Sequence, residues 1–189
     1  MENLKIKRKE FEVSEIVSKD TFKANYKNKV YLIKKYNPDS VEFDMLRKLI
    51  KSAVIMPRVF KLDKKTGYVA FEDIEGTLMS DYILDNDFDE NIYKQIFQNS
   101  YCARTVGLNL DYSLDKWMIS DDILYYVGDY CEKYNPNRDF TKWKIREWFF
   151  TKELAEFYKK NGILFDKNRI KDEYLANKEM VLMTCKYYV

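Results

Sequence analysis

The stretch that most constrains the fold is residues 109–131, NLDYSLDKWMISDDILYYVGDYC. It contains two short runs rich in aromatic and branched residues, separated by an acidic turn at residues 120–122. Such residues favour half-buried strands, so the pattern predicts a β-hairpin. Asp111 stands before the first strand and Asp129 follows the second. We therefore expect two carboxylates at the open end of this hairpin, with room for a metal ion or a hydroxyl group between them.

The composition is that of a folded protein forming one compact domain or two small lobes. The chain has 189 residues, of which 46% are hydrophobic and 16% aromatic, enough for a packed interior. Its formal net charge is +2, from 33 basic and 31 acidic residues, which argues against a nucleic-acid partner. There is no histidine, which excludes histidine-based activation of a nucleophile.

The cysteines and the hydropathy pattern predict a cytoplasmic protein without membrane contact. The three cysteines are scattered, an arrangement typical of a reducing compartment rather than a disulfide framework. No apolar run is long enough to span a bilayer, and the lysine-rich start is not followed by an apolar segment.

The first 75 residues predict the order strand, strand, strand, helix, strand, strand. Alternating apolar residues indicate a first strand between Leu4 and Val13, with a break or bulge within it. A helix containing Glu42 starts after Pro38. The remaining strands are expected at residues 21–26, 30–36, 58–62 and 68–71, with a tight turn at 27–29.

The rest of the chain predicts mainly helices around the acidic hairpin. We expect a short helix at 78–83, a long amphipathic helix at 92–106, an aromatic helix from about 141 to 160, and a last helix capped by Asp166. The helix at 141–160 is expected to pack Trp143, Trp148, Phe149 and Phe150 inside and to expose Lys142, Lys144 and Arg146.

The acidic hairpin and this order of elements resemble the protein-kinase-like superfamily. In that family His-Arg-Asp-Leu-Lys-x-x-Asn is followed by a strand, a turn, a second strand and Asp-Phe-Gly. Aligned without a gap, Asp111 matches the catalytic aspartate, Lys116 the asparagine and Asp129 the aspartate of the last motif. The resemblance covers roughly residues 10–135. It implies a small bilobal α+β fold, a single kinase-like domain with a five-stranded N-lobe and one helix (1–75) and a reduced helical C-lobe (76–189).

The resemblance also implies a role for individual residues. Lys34, in Tyr31-Leu32-Ile33-Lys34, and Glu42 on the helix match the lysine–glutamate pair that serves the nucleotide. The backbone of the hinge near residues 72–77, including Glu72 and Ile74, would meet the adenine of ATP. Asp111 would act as catalytic base and Asp129 as ligand of Mg²⁺.

Several departures from the family pattern predict degenerate phosphate and metal sites. Residues 17–23 contain no glycine, although the phosphate-binding loop needs close backbone approach. Lys19 and Lys23 offer charge there instead. The ammonium of Lys116 cannot ligate a cation, so it either neutralises Asp111 or Asp129 in a salt bridge or binds a phosphate itself. The chain after Asp129 has no recognisable activation segment or Ala-Pro-Glu anchor.

Three functions remain open on the sequence. The leading expectation is a pseudokinase-type binding or scaffold module with weak or no phosphotransfer. The second is an active atypical ATP-dependent phosphotransferase. The third is an interaction protein that docks a protein partner through its aromatic-rich C-terminal helices.

Overall fold

In a computed structural model, described here for residues 3–188, the chain is of mixed α+β type and forms two compact units. The N-terminal unit comprises residues 1–51 and 56–75, and the C-terminal unit comprises residues 52–55 and 76–189. Within residues 3–188, no helix has the length and apolar character needed to cross a membrane.

The N-terminal unit is a curled antiparallel sheet with one helix. The strands follow the order β1-β2-β3-β4-β6-β5. The elements are β1 (Asn3–Ile6), β2 (Lys9–Ser18), β3 (Thr21–Tyr26), β4 (Lys29–Lys35), α1 (Val41–Leu49), β5 (Val59–Leu62) and β6 (Tyr68–Glu72).

The prediction of five strands in this unit is wrong, because the sheet has six. The expected break between Leu4 and Val13 is a full chain reversal, in which Ile6 pairs with Lys9. Lys7 adopts a positive φ of 55° at this turn, and its N–H donates to Asp63 Oδ2 at 3.3 Å. A left-handed residue turns the chain sharply, which alternation of apolar residues does not reveal.

Alternation along the strands gives the sheet two distinct apolar faces. One face packs α1, whose Phe43 and Leu46 contact Val69 and Phe71. The opposite face buries a second cluster around Ala70 of the same strand. The helix begins after Ser40, whose Oγ accepts a hydrogen bond from Phe43 N at 3.1 Å.

The C-terminal unit is mainly helical and contains two small antiparallel sheets, β10-β9-β7 and β11-β8. The elements are β7 (Thr77–Leu78), α2 (Met79–Asp85), α3 (Glu90–Thr105), β8 (Leu108–Leu110), β9 (Trp117–Ser120), β10 (Ile123–Tyr126), β11 (Cys131–Lys133), α4 (Phe140–Trp143), α5 (Lys152–Lys160) and α6 (Glu173–Tyr187).

The expected helix from 141 to 160 is interrupted, which corrects the prediction. It consists of α4, a 3-10 turn at 145–148 and α5, with Phe150 at a φ of 49° between the last two. Trp148, Phe149 and Phe150 are all buried. Three consecutive residues on a surface helix point in directions about 100° apart and cannot all face one core, so the backbone leaves the helix here.

Two further predictions in this region are also wrong. Trp143 does not pack inside: it is exposed, and the Arg138 guanidinium lies 4.0 Å from its ring. The last helix begins at Glu173 and is capped by Asp172, which accepts from Tyr174 N at 2.9 Å. Asp166 caps only a 3-10 turn at residues 167–169.

Candidate functional site

The predicted acidic hairpin is formed by β9 and β10. Trp117 pairs with Tyr126 at its open end, and Ser120 pairs with Ile123 at its turn. The two turn residues, Asp121 and Asp122, have φ values of 48° and 61°, as a tight hairpin turn of this type requires.

A second strand pair, which the sequence analysis missed, draws Asp111 and Asp129 toward each other. β8 pairs with β11, and Leu110 lies opposite Cys131. Asp111 directly follows Leu110, and Asp129 stands two residues before Cys131. The two acidic residues therefore flank the same end of this pair. Strands of three residues carry too little alternation to be detected in advance.

The hydroxyl of Tyr126 ties the two acidic segments together. This side chain is fully buried, and its oxygen accepts a hydrogen bond from Asp111 N at 3.3 Å while donating to the carbonyl of Tyr130. Burial raises the pKa of Tyr126 well above its usual range, so the hydroxyl stays protonated.

Gly128 makes room for this arrangement. A Cβ at this position would stand 2.6 Å from the Tyr126 hydroxyl oxygen and 2.7 Å from the nearest carbon of its ring. The ring is buried and cannot move aside without disturbing the core. The glycine before Asp129 is thus needed for close approach of the backbone to Tyr126.

Asp111 is half-buried and held by its own loop. Its Oδ1 accepts a hydrogen bond from Ser113 N at 3.0 Å, and its carbonyl accepts one from Trp117 Nε1 at 3.0 Å. Asp129 is exposed. A carboxylate fixed by a local turn is pre-oriented for a ligand, because little side-chain freedom remains to be lost.

Lys116 lies within electrostatic range of Asp111 and Asp129, but it forms its ion pair with Asp115. Its ammonium is 2.5 Å from Asp115 Oδ2. The hydrogen bond to Asp115 raises the pKa of Lys116 above its usual value, and the charges of Asp111 and Asp129 add to that increase. The predicted salt-bridge partners of Lys116 were Asp111 and Asp129, and its observed partner is the adjacent Asp115.

A partly buried ion pair corrects the prediction that Lys144 lies on a solvated helix face. Lys144 Nζ lies 2.5 Å from Glu147 Oε1, with side-chain exposures of 20% and 13%. Burial raises the pKa of Glu147, and the charge of Asp111 contributes to the increase. Arg146 pairs with Glu153 at 2.5 Å. Both cations therefore hold carboxylates within the C-terminal unit.

In the N-terminal unit, Lys34 lies on the α1 face of the sheet. It is half-buried in β4 and directly opposite Val69, which packs against α1. Residues directly opposite in a ladder point to the same face. Glu42 is exposed in the first turn of α1.

Part of the backbone predicted to meet an adenine ring is engaged within the sheet. Glu72 N donates to the carbonyl of Arg58 at 2.9 Å, and Asp73 N donates to that of Val30 at 3.5 Å. The Glu72 carboxylate lies 3.9 Å from Arg58. Ile74 follows in an irregular, half-buried segment.

The predicted phosphate-binding loop is a tight turn. Ser18 pairs with Thr21, so Lys19 and Asp20 alone form the turn, and Asp20 O accepts from Lys35 N at 2.8 Å. Lys23, considered as a substitute phosphate ligand, pairs with Asp73 at 3.4 Å.

No group of three or more His, Cys, Asp or Glu side chains with the geometry of a metal site occurs among residues 3–188. The chain matches no protein-family model and no curated protein.

Proposed function

We propose that this chain is a small, degenerate member of the protein-kinase-like superfamily and acts as a pseudokinase-type binding or scaffold module. Under this proposal the N-lobe is residues 1–75 and the C-lobe is residues 76–189. The observation that carries it is the pairing of β8 with β11, which brings the segments containing Asp111 and Asp129 together at the Tyr126 hydroxyl.

The order of parts in the C-terminal unit supports the proposal. Asp111 follows a strand, the β9–β10 hairpin comes next, and Asp129 stands before the returning strand β11. This is the order in which the family places its catalytic and metal-binding aspartates. In the N-terminal unit, Lys34 on the α1 face of the sheet and Glu42 on α1 suit the lysine–glutamate pair of the family.

Lys116 is the reason for proposing a degenerate site. It stands where the family has an asparagine that ligates a metal ion. Its ammonium is charged at neutral pH, and the charges of Asp111 and Asp129 contribute to raising its pKa further. A cation within electrostatic range of these carboxylates supplies part of the positive charge that Mg²⁺ would otherwise bring, and it repels the metal.

The tight β2–β3 turn supports weak phosphate binding by that segment. The turn residues Lys19 and Asp20 carry side chains where the family has glycine, which opposes close approach of a triphosphate to the backbone. We therefore expect ATP to gain little over adenosine at a kinase-like nucleotide site.

The experiment is a calorimetric titration of the full chain with ATP and with adenosine, each with and without Mg²⁺. For the kinase-like site, the proposal predicts affinities of ATP and adenosine within about tenfold of each other, or about 1.4 kcal/mol, and no increase with Mg²⁺. An ATP affinity more than about a hundredfold above that of adenosine, and dependent on Mg²⁺, would overturn the proposal in favour of an active phosphotransferase with Asp111 as base.

One observation favours the third function, docking of a protein partner. Helix α6 exposes several large apolar side chains: Tyr174, Leu175, Val181 and Leu182. Such a surface on a helix is typical of an interaction site. For a partner identified by copurification, Val181→Glu should weaken its binding and leave nucleotide titrations unchanged.

A further inference from the structure

A cationic cleft lies on the N-terminal unit, on the face of the sheet opposite α1. Its volume is about 580 Å³, and all of its lining residues belong to this unit. It shares no residue with the candidate site around Asp111. The lining residues are Lys9, Tyr26, Lys27, Lys29, Tyr31, Arg58, Phe60, Lys61 and Glu72.

Positive charge converges on this cleft from separate parts of the sheet. Five of its lining residues are cations and one, Glu72, is a carboxylate, which leaves an excess of four positive charges. The formal net charge of the entire chain is only +2. Several cations around one concave surface raise the local positive potential and attract an anionic ligand.

An aromatic floor holds the lysine head groups at the cleft. The rings of Tyr31 and Phe60 lie 4.8 Å apart, and those of Tyr26 and Phe60 lie 5.6 Å apart. The Lys9 ammonium is 5.4 Å from the centre of the Tyr26 ring, and that of Lys61 is 5.4 Å from the centre of the Phe60 ring. Cation–π contacts of this kind restrict otherwise flexible lysines.

The Tyr26 hydroxyl adds a polarised donor to the same cleft. A hydrogen bond to Lys9 lowers the pKa of Tyr26, and the charges of Lys9, Lys27 and Lys61 lower it further. A more acidic hydroxyl is a stronger donor to an anion. Because ammonium groups lie over the rings of Tyr26 and Phe60, stacking of nucleic-acid bases on these rings would first have to displace them.

We propose that this cleft binds an oligophosphate, a small ligand carrying several adjacent phosphate groups, through its lysines and the Tyr26 hydroxyl. Closely spaced phosphates match several ammonium groups around one concave surface better than an isolated phosphate does. The proposal does not depend on the kinase-like assignment.

The test is calorimetric titration of the full chain with inorganic tripolyphosphate, inorganic phosphate and a ten-residue oligothymidylate at 50 mM salt. Lys9→Gln/Lys61→Gln removes two cleft cations without removing their polar character. Lys51→Gln/Lys64→Gln is the matched control, since both lysines are exposed on the same unit outside the cleft. Circular dichroism melting checks that both variants fold.

We expect tripolyphosphate to bind more tightly than phosphate. The cleft variant should weaken that binding by about tenfold or more, and the control by less than about twofold. Equal losses in the two variants, or no measurable binding to the unmodified chain, would overturn the proposal. Tighter binding of the oligothymidylate than of tripolyphosphate would overturn it in favour of single-stranded nucleic acid.

The Lys9→Gln/Lys61→Gln variant also distinguishes nucleotide binding at the cationic cleft from binding at the proposed kinase-like site. ATP carries a triphosphate, so some of its affinity for the unmodified chain is expected to arise at the cleft. Repeating the ATP and adenosine titrations in Lys9→Gln/Lys61→Gln removes that contribution. An ATP preference that persists there belongs to another site and bears on the proposed function alone.

Discussion

The hydroxyl of Tyr126 offers the sharpest test of how the candidate site is held together. Tyr126→Phe removes one oxygen from a fully buried side chain and leaves the ring in place. The Asp111 amide and the Tyr130 carbonyl then both lose their hydrogen-bond partner. Both hydrogen bonds are partly buried, and leaving such groups unsatisfied costs about 1–3 kcal/mol, so we expect a loss within this range in the free energy of unfolding of the C-terminal unit.

Urea unfolding followed by tryptophan fluorescence measures this loss. All three tryptophans of the chain, residues 117, 143 and 148, belong to the C-terminal unit, so the signal reports on that unit alone. With a typical urea dependence for a domain of this size, a loss of about 2 kcal/mol lowers the midpoint by about 1 M.

The control is Tyr125→Phe, the same substitution at the preceding residue of β10. Tyr125 is half-buried and points to the opposite face of the strand, so the loss of its hydroxyl should change the midpoint little. If Tyr126→Phe and Tyr125→Phe have equal midpoints, the Tyr126 hydroxyl does not join the two acidic segments and this part of the account is wrong.

Three further predictions concern the same unit. Gly128→Ala should destabilise it by at least as much as Tyr126→Phe in the same urea assay, because the new Cβ would overlap the buried ring; an unchanged midpoint would contradict the close approach. Asp122→Gly should raise stability by about 0.5–1 kcal/mol, since φ is 61° there and glycine adopts such values without strain; a loss of stability would show that the turn differs. Iodoacetamide at pH 8 should modify the exposed Cys185 well before the buried Cys131, because burial raises the pKa of the Cys131 thiol to about 11. Peptide mass spectrometry measures the two rates, and equal rates would contradict the burial of Cys131.

The sequence predicted those parts of the fold that depend on local pattern. The hairpin around Asp121 and Asp122 was predictable because two apolar runs flank an acidic turn. Helix α1 was predictable because Pro38, Asp39 and Ser40 mark a helix start and Leu46 and Leu49 follow at helical spacing. In both places local propensity and tertiary packing favour the same structure.

Other parts depend on contacts that a local pattern cannot reveal. The β8–β11 pair joins residues about 20 positions apart through two three-residue strands, too short for a periodic signal. The sixth strand of the N-terminal sheet was missed because a lysine, Lys7, adopts the left-handed conformation normally associated with glycine. The break before α5 arises because the core accepts three consecutive aromatic side chains, 148–150, which overrides a continuous helix.

The effect of Lys116 on Mg²⁺ binding tests the proposed degenerate kinase-like site most directly. At an intermediate effective dielectric, an ammonium a few ångströms from a divalent cation opposes binding by a few kcal/mol. Lys116→Asn removes this charge and supplies an amide oxygen that can ligate the metal. Asp115→Asn is the matched control, because it breaks the Lys116–Asp115 ion pair while keeping the ammonium.

The measurement is the thermal stabilisation of the full chain at fixed ATP with Mg²⁺ varied, in the unmodified protein, Lys116→Asn, Asp115→Asn and Lys116→Asn/Asp129→Asn. All four keep the cationic cleft of the N-terminal unit, so its contribution is common to them. We predict that Lys116→Asn alone makes the stabilisation by ATP depend on Mg²⁺ and that adding Asp129→Asn abolishes this gain. If Lys116→Asn leaves the Mg²⁺ dependence unchanged, Lys116 does not occupy a metal position, and the interpretation of this hairpin as a kinase-like centre is wrong.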